Sequence, residues 1–344
     1  MSSNATSRKS TPTVETVNAA FNEFLESMVN LDPDRTASAR SSRDWLYGQI
    51  ASFETDTTFP KLWSEYNINY GSFARKTKIR PLDDIDMMIG LHAQGASYSD
   101  NGITPITITV TPASNLTPFC NENTYTLNSI KIINKFIRKC ETVPQYSKAD
   151  LKRNGSAAVL DLKSYDWSFD IVPCFMTVVE LNGRNYYLIP DGKGNWKKTD
   201  PRIDRQRVKD VNSAHDGNVL NVLRIIKYWN QRPTMPSMSS YLLETMILDY
   251  YSAKAGKASQ FVDLEIPSVL AYIATAVHSQ VNDSKAIQGN INDLSWDERN
   301  KISARATSDK QKVDQARALE SSGDHKGSIE KWGEVFGNDF PSYG

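Results

Sequence analysis

Apolar positions recur along this chain with two periods, one helical and one strand-like, and they change over near residue 200. Val14, Val17, Phe21, Phe24, Leu25 and Met28 fall at helical spacing. Thr11-Pro12 precedes them and reads as N-cap and first helical residue. Asp32-Pro33 repeats that start signal for a second helix through about Phe53, with Trp45, Leu46 and Ile50 on one side. Residues 61–70 lead into a Gly-Ser pair and then an apolar run ending at Leu91. A loop-rich insert follows, with Gly95, Gly102, Pro105, Pro112 and Pro118, and inside it Ile106–Val110 alternates like a strand. Leu127–Cys140 predicts a helix with Ile130, Ile133, Phe136 and Ile137 on one side, and Ala157–Leu162 and Trp167–Met176 predict paired strands. Val178–Leu181 and Tyr186–Ile189 flank Asn182-Gly183 and predict a hairpin. Pro190–Pro201 is turn-rich, and the pattern beyond Ile203 is helical apart from a polar loop at Ser279–Asp293. The pattern divides the chain into a disordered stretch (1–10), an α/β lobe with two N-terminal helices (11–202), a helical lobe (203–336) and a tail (337–344). This is an α+β protein, and its active site is expected in the cleft between the lobes.

Composition narrows the class. Of 344 residues, 39% are hydrophobic, enough for a real core. Lys plus Arg equals Asp plus Glu at 40 each, so no basic excess marks a protein that coats nucleic acid. Cys120, Cys140 and Cys174 are odd in number and lack metal-type spacing, and the four histidines are scattered, which argues against a disulfide framework or a zinc site. Met1–Ser10 has no apolar centre and no apolar run reaches spanning length, so the expectation is a cytoplasmic protein without a membrane segment.

The chemistry concentrates between Asn69 and Leu91. On a strand, Asp84 and Asp86 of Asp-Ile-Asp point to one face, where they repel unless a cation lies between them. Mg²⁺ bound by carboxylates and substrate phosphates is the usual solution. Gly71 permits close backbone approach and Ser72 supplies a hydroxyl for a phosphate oxygen, with Arg75, Lys76, Lys78 and Arg80 beside them. Taken singly, each part has an ordinary explanation: a turn, two solvated carboxylates, a solvated basic loop. A third carboxylate, Asp170, lies between Phe169 and Ile171 in a strand-like run, where burial without a partner is costly.

A second group lies in the helical half. On Asn218–Trp229, Lys227 falls inside the apolar arc, while Asn221 and Arg224 fall opposite, on the wet side. Lys227 is either a snorkelling stem or a phosphate contact. Ser240-Tyr241 opens the next helix. The segment 193–207, with Lys197, Lys198, Arg202, Arg205 and Arg207, is dense in positive charge.

Gly-Ser, eleven residues, Asp-Ile-Asp and a later hydrophobic-Asp-hydrophobic strand together resemble the polymerase-β-like nucleotidyltransferases. More narrowly the chain resembles the bacterial CD-NTases, over roughly residues 10–340. That match rests on Gly71–Arg80 leading into Asp84–Asp86 and on Phe169–Pro173. It rests also on Ile189–Gly192 with Trp196 and Thr199–Pro201, and on Lys227–Asn230 followed by Ser240–Glu244. The resemblance implies a metal-dependent nucleotidyltransferase that takes ATP and/or GTP and releases pyrophosphate as it closes a cyclic di- or trinucleotide. It implies two Mg²⁺, replaceable by Mn²⁺, on Asp84, Asp86 and Asp170. It places the donor triphosphate on Gly71 and Ser72, a phosphate on Lys227 and Ser240, and a base stacked on Tyr241. Since stacking uses the ring, Tyr241→Phe is expected to be nearly silent. The resemblance also implies a messenger read by a separate effector in anti-phage (CBASS) signalling. In some members a ubiquitin-like ligase acts on the C-terminal residue, here Gly344. The rivals are transfer of one nucleotide to an RNA, protein or small molecule, and a catalytically silent nucleotide sensor.

Overall fold

Thr16 caps the first helix by accepting from Ala19 N at 3.2 Å, so helix α1 (Val17–Phe24) begins behind a two-residue strand, β1 (Thr13–Val14). Val14 is thus extended and not helical. The computed structural model describes residues 13–233, 235–236 and 238–344; the start expected at Thr11-Pro12 and the stretch 1–10 lie outside them. The chain forms two units, residues 33–206 and residues 1–32 with 207–344. Helix α1 therefore belongs with the C-terminal helices.

The unit 33–206 opens with α2 (Pro33–Ser52), started by Pro33 as expected. Leu46 and Ile50 are buried, but Trp45 faces outward and meets the edge of Tyr146 at 5.4 Å. Strand β2 (Ile68–Asn69), the short helix α3 (Gly71–Ala74) and strand β3 (Asp84–Gly90) follow. The insert holds a small antiparallel pair, β4 (Ser97–Ser99) and β5 (Thr107–Thr109). Helix α4 (Ser129–Glu141) starts where Asn128 accepts from Ile130 N and Lys131 N. It packs on the sheet through Ile132, Ile133 and Phe136, with Ile130 and Ile137 only half-buried. Strands β6 (Asp150–Asn154), β7 (Ala157–Asp161), β8 (Ser168–Met176), β9 (Tyr187–Pro190) and β10 (Trp196–Thr199) complete, among the described residues, a seven-stranded mixed sheet.

Strand β8 is the centre of that sheet. It pairs in parallel with β3 along one edge, and with β7 and then β9, both antiparallel, along the other. Two expectations fail here. Val178, Val179 and Leu181 form no strand: β9 pairs with β8 itself, which leaves the three side chains in an exposed loop. The turn-rich stretch 190–201 hides β10, whose Trp196 is buried and donates Nε1–H to Leu127 O at 3.1 Å.

Helix α5 (Pro201–Ala214) carries the chain into the second unit. There α6 (Val219–Asn230), α7 (Ser240–Ala253), α8 (Val262–Ala276), α9 (Trp296–Ser321) and α10 (His325–Phe336) bury long apolar stretches against one another. Arg224, expected on a wet side, is half-buried and donates to Asn30 and Asn221, because α6 is covered almost all round. Gly337 ends α10 at φ +88°, the left-handed backbone that favours glycine. The residues after it do not hang free. Phe340 packs 5.1 Å from Phe21, and β11 (Ser342–Tyr343) pairs in parallel with β1. Among the described residues no helix is long and apolar enough to cross a membrane.

Candidate active site

One face of the β3–β8 pair is apolar over most of its length. Met88, Val172 and Cys174 pack there with Ile68, Val159, Tyr187 and Ile189. At one end the same face turns acidic. Residues two apart share a side of a strand, so Asp84 and Asp86 lie in line with Met88, and Asp170 in line with Val172. The register sets Asp86 directly beside Asp170 across the parallel pair. Ile85, Phe169 and Ile171 on the opposite face are buried and hold that register.

The turn before β3 lies against these carboxylates. Tyr70 N donates to Asp86 O at 3.2 Å, and Gly71 follows at φ +71°. A Cβ on Gly71 would stand 1.7 Å from an Asp86 carboxylate oxygen, so glycine is required both for conformation and for room. Ser72 O accepts from Thr77 N at 2.9 Å and Lys78 N at 3.1 Å, folding the basic segment back over the turn. The turn is supported from behind: Asn69 Oδ1 accepts from the Tyr47 hydroxyl at 3.0 Å and Asn69 O from Arg205 at 3.0 Å.

Burial dominates the electrostatics of the cluster. Burial, then the Asp84 and Asp170 carboxylates, push Asp86 up to about 7, against the pull of Arg75 and Lys78. Burial and then Asp84 raise Asp170. Burial and Asp83 raise Asp84, although Lys78 pulls the other way. The Tyr70 phenol, buried beside Asp86 and Asp170, is held well above its ordinary value and stays protonated. Periodicity and spacing do not single out Tyr70, Asp83 or Thr77. Asp83 and Asp84 both bind the Lys78 ammonium, and a lysine five residues before an acidic pair was the available signal.

Among the described residues no group of three or more His, Cys, Asp or Glu side chains is placed to hold a metal ion. The Asp84 carboxylate is bound by the Lys78 ammonium. The donor set nonetheless fits a hard divalent ion, with three carboxylates on one face, each raised above its ordinary pKa chiefly by burial.

This has a testable sign. The folded-state pKa of Asp86 is raised, so between about 4 and 7 the folded chain binds more protons than the unfolded one. The contribution of Asp86 to the stability of the metal-free protein is therefore fully present at the acid end of that window and is lost as pH rises through about 7. Asp86→Asn should remove much of this fall, giving a higher melting temperature than wild type at pH 8 in EDTA and a much smaller difference at pH 5. Equal melting curves at pH 8 would contradict the charge account.

The other expected site residues lie in the second unit, on α6 and α7. Lys227 is 3% exposed and faces Glu244 Oε2 at 3.7 Å, so its ammonium does not snorkel. Ser240 is exposed in the first turn of α7, which Ser239 caps. Tyr241 is half-buried, and its hydroxyl donates to Asp283 at 2.9 Å. That bond removes the premise on which Tyr241→Phe was expected to be silent. The remaining motif residues have structural work. Asp191 accepts from Lys193 N and Asn195 N in the β9–β10 turn, and Asp200 binds Arg202 at the start of α5.

A mixed sheet with paired acidic strands behind a Gly-Ser turn, joined to a helical unit, is the architecture of a polymerase-β-like nucleotidyltransferase. Solved structures share this fold. The chain superposes on CdnC of E. coli MS115-1 with ATP at a TM-score of 0.69 and 15% identity, covering 94% of this chain and 99% of that one. CdnC in complex with a HORMA protein gives 0.68, also at 15% identity, with 94% and 98% covered. E. coli DncV in its 3'-deoxy GTP bound form gives 0.55 at 13% identity, with 80% and 69% covered. No protein-family model matches the chain. In sequence it is 42% identical over 332 residues, 96% of its length and 99% of the relative's, to a Bacillus cereus (strain VD146) protein named as a probable cyclic nucleotide synthase. The chain belongs to the CD-NTase family of cyclic nucleotide synthases.

Proposed function

We propose that this enzyme joins nucleoside triphosphates, ATP and/or GTP, into a cyclic di- or trinucleotide with release of pyrophosphate, as a messenger for a separate effector in anti-phage defence. The observation that carries the chemistry is the register of β3 and β8, which sets Asp86 beside Asp170 with Asp84 on the same face. The family relative named as a cyclic nucleotide synthase supports the product class, and fold relatives bound to ATP and 3'-deoxy GTP support the substrates.

In this reading Asp84, Asp86 and Asp170 hold the divalent metal, Mg²⁺ or Mn²⁺. When bound, such a metal neutralises triphosphate charge and lowers the pKa of an attacking ribose hydroxyl. Gly71 gives the triphosphate close access to the backbone, and Ser72 offers it a hydroxyl. Arg75 and Lys78, already close enough to pull on Asp86, add positive charge where phosphate oxygens arrive. In the helical unit, Lys227, Ser240 and Tyr241 are the nucleotide contacts. The N-terminus of α7, where Ser240 sits, favours a phosphate.

The test is incubation with each nucleoside triphosphate and each pair, with Mg²⁺ or Mn²⁺, followed by phosphatase. Wild type should leave a phosphatase-resistant product, since a ring has no terminal phosphate, and Asp170→Asn should leave none. A product wholly degraded to nucleoside and phosphate would rule out ring closure.

A further inference from the structure

The polar loop 279–293 has no assigned part in the chemistry, yet at its centre stands a densely bonded carboxylate. The Asp283 side chain is fully buried. Its oxygens accept from the backbone N–H of Lys285 (3.2 Å), Ile287 (3.2 Å) and Gln288 (3.1 Å), from the Tyr241 hydroxyl (2.9 Å), and from the Lys285 ammonium (2.8 Å). Burial alone would raise its pKa, but Lys285 and the Tyr241 hydroxyl bring it down to about 2, so the group is a permanent anion. Lys285 completes a triangle. Its ammonium also donates to the Tyr241 hydroxyl oxygen and stands 4.2 Å from the centroid of the Tyr241 ring. The loop itself is closed by Asp283 N to Gly289 O (2.7 Å) and Ile291 N to Val281 O (2.8 Å).

A half-buried tyrosine that merely filled space would need one partner for its hydroxyl. Tyr241 is held at the hydroxyl by an anion and at the ring by a cation, both belonging to one loop. That fixes ring orientation before any ligand arrives, so the ordering cost of stacking is already met. From this we propose that Asp283 and Lys285 are positioning residues, and that loop 279–293 holds Tyr241 as a preformed platform for a purine base of the substrate. The proposal rests on the reading of Tyr241 as a base contact and adds what aims it.

The experiment titrates three ligands, non-hydrolysable ATP and GTP analogues and inorganic tripolyphosphate, against wild type, Tyr241→Ala, Tyr241→Phe and Asp283→Asn. Tyr241→Ala should weaken the purine ligands about five- to 150-fold, the loss of one base–aromatic stack. Tyr241→Phe and Asp283→Asn keep the ring and should weaken them about tenfold, the scale of a hydrogen bond to a charged group. Tripolyphosphate, which has no base, should bind all four proteins alike. If Tyr241→Phe and Asp283→Asn bind purines as wild type does while Tyr241→Ala fails, the positioning role is overturned and the platform stands. If Tyr241→Ala itself binds as wild type does, the platform falls and the positioning role with it. If tripolyphosphate weakens in step with the purines, the loop is structural support only and the proposal is wrong. Should Asp283→Asn not fold, Tyr241→Phe carries the test, since it leaves Asp283 with Lys285 and three backbone donors.

Discussion

Asp84→Asn and Asp170→Asn should each lower turnover by about a thousandfold or more, about 4 kcal/mol of barrier at 1.36 kcal/mol per decade. Each change keeps the volume of the side chain and one oxygen and removes the charge. Neither should unfold the protein. All three carboxylates are held above their ordinary pKa in the fold, so at neutral pH their charges oppose it. The measurement pairs the rate of pyrophosphate release with a melting curve for each variant. If both variants melt like wild type or higher and yet retain more than about a tenth of the rate, less than 1.36 kcal/mol of barrier lowering has been lost and the chemistry is elsewhere.

The second large effect belongs to Gly71→Ala, the smallest possible change in the molecule. The new methyl carbon would stand 1.7 Å from an Asp86 oxygen and 2.5 Å from its carboxyl carbon, so the carboxylate must move. It would also place a Cβ on a backbone at φ +71°, a left-handed conformation costing about 1–2 kcal/mol for a non-glycine residue. The stability loss should stay in that range. Activity should fall much further, by roughly a hundredfold, because a displacement of order 1 Å at a reacting centre has that scale of effect. Steady-state kinetics and a urea titration separate the two numbers. Wild-type kcat with the expected stability loss would mean that Asp86 does not need its present position.

The sequence made the acidic strands legible because strand alternation is rigid geometry: once Ile85 and Phe169 are inside, Asp84, Asp86 and Asp170 can point only one way. Lys227 was legible as an inward lysine for the same kind of reason, and the structure supplies Glu244 as its partner. What stayed hidden was set by contacts distant in the chain. Val178, Val179 and Leu181 have strand-like residue types, but β9 occupies the edge of β8 they would have needed. Trp196 and its neighbours lie among turn residues, and their pairing with β9 overrode local propensity. Asp283 sat in a stretch that reads as a plain polar loop. No periodicity marks a residue whose partners are a tyrosine 42 positions away, a lysine two positions on and the backbone of its own loop. The grouping of α1 with the C-terminal helices depends likewise on Phe21 meeting Trp332 and Phe340.

The parallel pairing of β3 with β8 also fixes when the site can come into being. Everything from Leu91 to Trp167 lies between the two strands, so Asp86 meets Asp170 only after a long loop has closed and its entropy has been lost. A chain emerging from the ribosome carries the Gly-Ser turn and two carboxylates well before the third, and the central strand of the sheet arrives last of the three. Such non-local pairings are slow steps in folding. Catalytic competence should therefore be among the last properties this chain acquires on refolding, appearing with the β8 register and not with the earlier formation of helix.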